Sequence, residues 1–294
     1  MISAFVTLEA GWMRSGNLLL VVVCGAAVGV AAAMAWRWRD LPVLVTRVPE
    51  VGAAGASSLD AIRTLACMLS AGFVSGLLVV GLGGRLVMRI LAATSGDGVQ
   101  GLVTEAGETV GAITLSGSIS FLIFVGILVP LAAALLFVPL RWVLPNRAWI
   151  AGLAFGVILL GFFGVTDPLE PDSVDFIILG PPWLAVTLVS ATALLFGMTL
   201  AALAARLNAT LPSPPAPWSA LSWRHRAAYS SLICLLNPVL VLPAALYVAG
   251  RAVSHGRLGA LLENGPLRQA GRVVAAAVVI AALAMVVGAT ADIV

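Results

Sequence analysis

Of the 294 residues, 61% are hydrophobic and 10% charged, and the mean hydropathy is +1.09. A water-soluble domain carries about 25% charged residues, so a solvated enzyme or binding module does not fit, and a body surfaced by lipid is expected. All sixteen basic residues are arginine and the net charge is +3. At this hydropathy they read as membrane-orientation signals rather than a nucleic-acid footprint, so no nucleic-acid partner is expected.

Met1–Gly16 is mildly amphipathic, with Trp12 and Arg14 before the first apolar run. Asn17–Trp36 is the first predicted span. Leu18–Val30 followed by Ala33-Met34-Ala35 has the form of a signal peptide, but Arg37 and Arg39 directly after that site favour an uncleaved span. Arg37–Arg63 is a linker with Pro42, Pro49 and a run of small residues. The second span, Thr64–Thr94, is apolar for some twenty residues and then carries Arg85 and Arg89, with no break in the helical pattern. Four apart, the two arginines share a helix face.

Ser95–Ser118 is polar. Within it, Val99–Thr104 and Thr109–Leu115 have strand-type composition around a turn containing Glu105 and Glu108, which predicts a β-hairpin. A lone hairpin is marginal and must pack on something. Ile119–Leu140 is the third span, with Pro130 and Pro139, and Trp149–Val165 is a short fourth. Thr166–Pro182 holds Asp167, Glu170, Asp172 and Asp175 and no arginine; Val174–Leu179 could add a strand to the hairpin. Trp183–Ala205 is the fifth span, and the Pro-rich Leu211–Trp218 an extended linker. Tyr229–Val248 is the sixth hydrophobic segment, interrupted by Asn237-Pro238 and by Pro243. A basic connector, Gly250–Arg272, leads to the last span, Val273–Ile293. All eight tryptophans fall at or beside predicted span ends, where amphipathic rings meet the membrane–water boundary.

The expected fold is a single all-α polytopic membrane domain over residues 1–294. It has six or seven transmembrane helices, the sixth hydrophobic segment being kinked or re-entrant. The loops 95–118 and 166–182 form a small extracytoplasmic cap. The acid-rich Thr166–Pro182 is placed outside, and alternation then puts the N-terminus outside and the protein in a bacterial plasma (inner) membrane. Full spanning by the sixth segment puts Arg251, Arg257, Arg268 and Arg272 outside, giving nine arginines inside and seven outside. A turn back at Asn237-Pro238 moves those four inside, thirteen against three. The second split fits the positive-inside rule better. Against it, twenty apolar residues normally span, and both readings stay open.

Few residues offer chemistry. Arg63 to Arg85 is 22 residues, about 33 Å of helix, which places Arg85 and Arg89 at the outer boundary. They either snorkel to the interface and pair with outer acids, or form an anion or lipid-phosphate site that Gly83 and Gly84 let a headgroup approach. The outer acids Asp97, Glu105, Glu108, Asp167, Glu170, Asp172 and Asp175 read as a solvated cap or as a cation-attracting mouth. Their spacing matches no EF-hand loop. Asn237 and Pro238 mark a polar break in the sixth segment. Gly25-x3-Gly29, Gly72-x3-Gly76 and Gly152-x3-Gly156 permit close helix crossings. The three cysteines sit alone in apolar runs and both histidines lack metal-ligand spacing, so no metal and no cofactor are expected. No central span region carries Asp, Glu, Lys or His, which argues against a proton pump.

A chain rich in packing motifs and poor in reactive groups reads first as a structural or accessory subunit of a membrane assembly, more a non-enzyme than an enzyme. Its partners are membrane lipids and either another protein or further copies of itself. The alternative is a transporter, channel or lipid-handling protein with a site near Arg85, Arg89 and the broken sixth segment.

Overall fold

The computed structural model describes residues 2–44, 54–95, 101–102, 115–166, 180–212, 221–253 and 265–293. Among them the fold is helical and strandless. Its one β-type pairing is an isolated bridge between Pro42 and Arg147. The helices are α1 (Ile2–Arg37), α2 (Ala54–Ser75), α3 (Gly84–Thr94), α4 (Leu115–Ile123), α5 (Val129–Leu140), α6 (Ala148–Leu159), α7 (Pro182–Thr210), α8 (Trp223–Ser230), α9 (Pro238–Val253) and α10 (Gly265–Ile293).

Five stretches are long and apolar enough to cross a membrane: Leu18–Arg37, Leu59–Thr94, Gly117–Leu140, Pro182–Thr210 and Gln269–Ala291. A sixth is added if Trp223–Leu235 and Val239–Gly250, bent by 111° at their junction, count as one. The pattern had suggested six or seven. The difference is the fourth segment, Ala148–Gly164, a shorter apolar helix whose 17 residues reach about 26 Å, at the low end of the lengths that span. One side of it is enclosed, with Ala151, Phe155 and Ile158 buried inside the bundle, while Phe162 and Phe163 near its end are exposed.

Two of the long stretches and the short fourth one are not uniformly α. Gly76–Gly83 links α2 to α3, Phe124–Leu128 links α4 to α5, and Leu160–Gly164 ends α6, each as a π-helical stretch. An unbroken α-pattern through Thr64–Thr94 is therefore corrected: the turn before Arg85 is widened. Each π-stretch contains a glycine that lies against another element. A Cβ built on Gly126 would stand 2.8 Å from the Gly81 Cα, so two π-turns meet backbone to backbone. A Cβ on Gly161 would stand 2.5 Å from Ala282 of α10. Wide turns bring backbones together where side chains are missing.

Two of the three predicted glycine pairs serve such crossings. Gly72 faces Pro130, Leu131 and Ala134, and Gly76 faces Gly126 and Pro130, on α5 and the π-turn before it. Gly152 and Gly156 lie against Ala193, Leu194, Gly197 and Met198 of α7. The third pair, Gly25 and Gly29 on α1, meets nothing within 4 Å. Between these crossings lies the main core, where the Phe137 and Phe155 rings stand 4.9 Å apart at 56°.

The bundle has two distinct ends. At the basic end the turn after α1 is bonded to the start of α6: the Ala148 amide donates to the Leu41 carbonyl at 3.1 Å and the Leu44 amide to Asn146 Oδ1 at 2.8 Å. Arg63 joins the start of α2 to the end of α7. Gly271, near the start of α10, lies against Val143 at this same end. At the other end the Gly180 amide donates to Ser95 Oγ at 2.6 Å, pinning the start of α7 to the end of α3. Gly180 has φ +57, the left-handed region that favours glycine. The loops expected to form the cap leave from this joint. The hairpin strands fall almost wholly outside the described residues, except that Leu115 begins α4 rather than ending a strand.

Candidate functional site

Arg85 and Arg89 lie on α3, one turn apart, both half-buried. The Arg85 guanidinium is 4.8 Å from the Phe121 ring centroid, and its Nη2 donates to the Gly117 carbonyl of α4. Its Nη1 stands 3.9 Å from the Met88 sulfur. The two glycines beside it admit protein: a Cβ on Gly84 would meet Phe121 Cζ at 2.9 Å, and one on Gly83 would meet Val28 Cγ2 of α1 at 3.2 Å. Arg85 thus ties α3 to α4 by a charge-assisted bond and a cation–π contact. Asp97, Glu105, Glu108, Asp167, Glu170, Asp172 and Asp175 lie outside the described residues, so no pairing with them is on view.

The break in the sixth segment is a folded junction. Asn237 is extended (φ −72, ψ 123), as a residue before proline prefers. Its Oδ1 accepts from the Val239 amide at 3.0 Å, and Pro238 opens α9 at a position where no amide is needed. The Asn237 side-chain oxygen caps the helix that follows. Beyond the bend, Leu240 and Ala244 of α9 pack on Leu65 and Leu69 of α2 and on Leu131 and Leu135 of α5.

By sequence, Arg63 counts among the inner arginines and is one end of a ruler for the bilayer, yet it is the most enclosed charge in the described bundle, 2% exposed. Its Nε donates to the Leu211 carbonyl at 2.8 Å, its Nη1 to Asn208 Oδ1 at 3.0 Å and its Nη2 to the Asn208 carbonyl, while Asp60 lies 3.7 Å away. The last carbonyls of a helix have no partner of their own, and here one guanidinium satisfies two at the end of α7, those of Asn208 and Leu211. Close by, the Ser70 hydroxyl of α2 lies within hydrogen-bond distance of the Ala228 carbonyl (3.2 Å) and of Ser231 Oγ (3.0 Å), and the Tyr229 hydroxyl donates to the Pro212 carbonyl at 2.7 Å. The sequence clues were an Asp60–Arg63 pair at i,i+3 opening a span and a lone Asn208 in the last turns of another.

Also at the basic end is a cavity of about 530 Å³ between the turn after α1, the end of α7 and the start of α8. Leu203 and Leu207 give it an apolar wall, Trp38 and Trp223 flank it, and Arg206, Arg224 and His225 supply nitrogen donors. Among the described residues no three His, Cys, Asp or Glu side chains gather as a metal-holding group. The chain matches no protein-family profile, no curated protein and no solved structure.

Proposed function

We propose that the chain is a structural or accessory subunit of a membrane assembly, docking through α1. The observation that supports this is the third glycine pair. Gly25 and Gly29 have the spacing of Gly72/Gly76 and Gly152/Gly156, but no described helix comes within 4 Å of a Cβ built on either. They lie on a helix of which only 22% of the apolar window is covered, against 61% for Leu59–Thr94. A transmembrane helix of another subunit or copy would find there the close approach that small residues permit. The expected result is that the assembly isolated in mild detergent exceeds the monomer mass and that Gly29→Leu reduces it to the monomer. A wild-type chain that is monomeric and carries flux alone in proteoliposomes would sink this reading. It would favour the alternative, a transporter, channel or lipid-handling protein acting near Arg85, Arg89 and the 111° bend.

The orientation we propose puts the basic end in the cytoplasm of a bacterial cell and the N-terminus outside. The start of α8 lines a cavity with the end of α7, and α10 starts beside Val143. Both observations support a sixth segment that turns back at Asn237, which leaves thirteen arginines inside and three outside. With the three native cysteines replaced, Arg272→Cys is expected to react with an impermeant maleimide from the same side as Arg147→Cys. Reaction from opposite sides would mean that Trp223–Gly250 crosses fully.

A further inference from the structure

The cavity at the basic end belongs neither to the α1 face nor to the Arg85/Arg89 face. We propose that it holds the phosphate-bearing headgroup of an anionic phospholipid from the leaflet at that end.

Its size of about 530 Å³ is that of a small-molecule site, roughly 300–1,000 Å³. Its chemistry is divided as a phospholipid is divided. Leu203 and Leu207, one helical turn apart on α7, form an apolar wall continuous with a membrane-spanning helix, fitting the glycerol and first acyl carbons. Arg206 and Arg224 line the cavity from different helices, with His225 beside them, so two guanidinium side chains are within reach of a bound anion. No carboxylate is among the lining residues, so the local field is positive and suits a phosphate. The Arg224 guanidinium stands 5.4 Å from the Trp223 ring centroid.

Trp223 is 73% exposed. An indole so exposed is poorly placed in bulk water and well placed at headgroup depth, where its apolar body and its N–H both find company. Trp38 lines the same cavity from the turn after α1. A free phosphate would use the arginines but leave the leucines and indoles wet, and a lipid covers both. Basic recesses between helices at a cytoplasmic boundary are where anionic headgroups settle by charge alone. The apolar wall adds a reason for one lipid to stay.

The test is native mass spectrometry of the full chain in detergent, titrated separately with phosphatidylglycerol and phosphatidylcholine. The wild type is expected to hold one phosphatidylglycerol in clear preference to phosphatidylcholine. Arg206→Gln with Arg224→Gln is expected to weaken phosphatidylglycerol about 30-fold (about 2 kcal/mol) and leave phosphatidylcholine unchanged. Arg206→Lys with Arg224→Lys, which keeps both charges, should retain most of the binding and show that the glutamine pair did not act through misfolding. Arg147→Gln with Arg272→Gln removes two exposed arginines of the same end outside the cavity and should change binding little. An equal loss in that control pair would reduce the effect to diffuse surface charge and overturn the site. So would equal binding of the two lipids by the wild type. Displacement of phosphatidylglycerol by millimolar inorganic phosphate would assign the cavity to a soluble anion and overturn the lipid.

Discussion

Arg63→Ala is expected to be among the most damaging single substitutions in the chain, lowering stability by about 3–5 kcal/mol, the range seen when one partner of a buried charged network is removed. Three acceptors lose their donor at once: Asn208 Oδ1 and the carbonyls of Asn208 and Leu211. All three meet a side chain 2% exposed, so water cannot replace it without opening the joint between α2 and α7. Asp60 also loses a neighbour, but its side chain is 38% exposed and that part costs little. Arg63→Met separates the causes. Replacing a whole buried ion network by apolar side chains can be neutral, but here two acceptors are backbone carbonyls that no mutation removes, so methionine should be nearly as harmful as alanine. Arg63→Lys should fall between, because one ammonium cannot cover acceptors that a planar guanidinium reaches on several edges. The measurement is the midpoint of thermal unfolding of the detergent-solubilised chain, expected to fall by roughly 6–20 °C for the alanine variant. A midpoint equal to the wild type would mean that the end of α7 is held by something other than this guanidinium.

Arg63 also marks where sequence reasoning stops. Its acceptors lie 145 and 148 positions along the chain, and no local pattern couples an arginine to the carbonyls of a distant helix end. What was legible was local and solvent-driven. Apolar runs marked the helices, most of the described tryptophans marked helix ends (Trp12, inside α1, did not), and Asn237-Pro238 marked the bend, because proline removes an amide wherever it stands. The π-turns were not legible, since a helix that is apolar all round has no period from which a widened turn could be read. The glycine pairs were half legible. Spacing gave the possibility of close approach, but identical motifs ended differently, filled at Gly72/Gly76 and Gly152/Gly156 and open at Gly25/Gly29. Gly83 and Gly84 show the same limit at the Arg85 site. They do admit close neighbours, among them Val28 and Phe121 of the protein itself. Gly197 stood in no motif and went unremarked, yet it is the counterpart of Gly152 on α7.

Gly197→Ala is the second substitution expected to have a large effect. A Cβ there would stand 2.3 Å from the Gly152 carbonyl oxygen and 2.9 Å from the Gly156 amide nitrogen. Looking the other way, a Cβ on Gly152 would stand 2.5 Å from the Met198 Cα and 2.6 Å from the Gly197 oxygen. These are backbone atoms of two helices, so no change of rotamer relieves the clash and α6 must move away from α7. Overpacking a tight core costs about 1–3 kcal/mol, and this site belongs near the top of that range. In lipid, helix association rests on packing rather than on escape from water, so a gap along the crossing has little to offset it. Gly152→Ala should cost a similar amount. The double variant should cost less than the two together, because the first methyl already separates the helices that the second would push apart. Gly29→Ala is the control. Its methyl meets nothing within 4 Å, so in the isolated chain it should be neutral or stabilising by up to about 1 kcal/mol through helix propensity alone. Unfolding midpoints measured side by side decide the matter: Gly197→Ala matching Gly29→Ala would show that the α6–α7 crossing has room that this backbone geometry denies it.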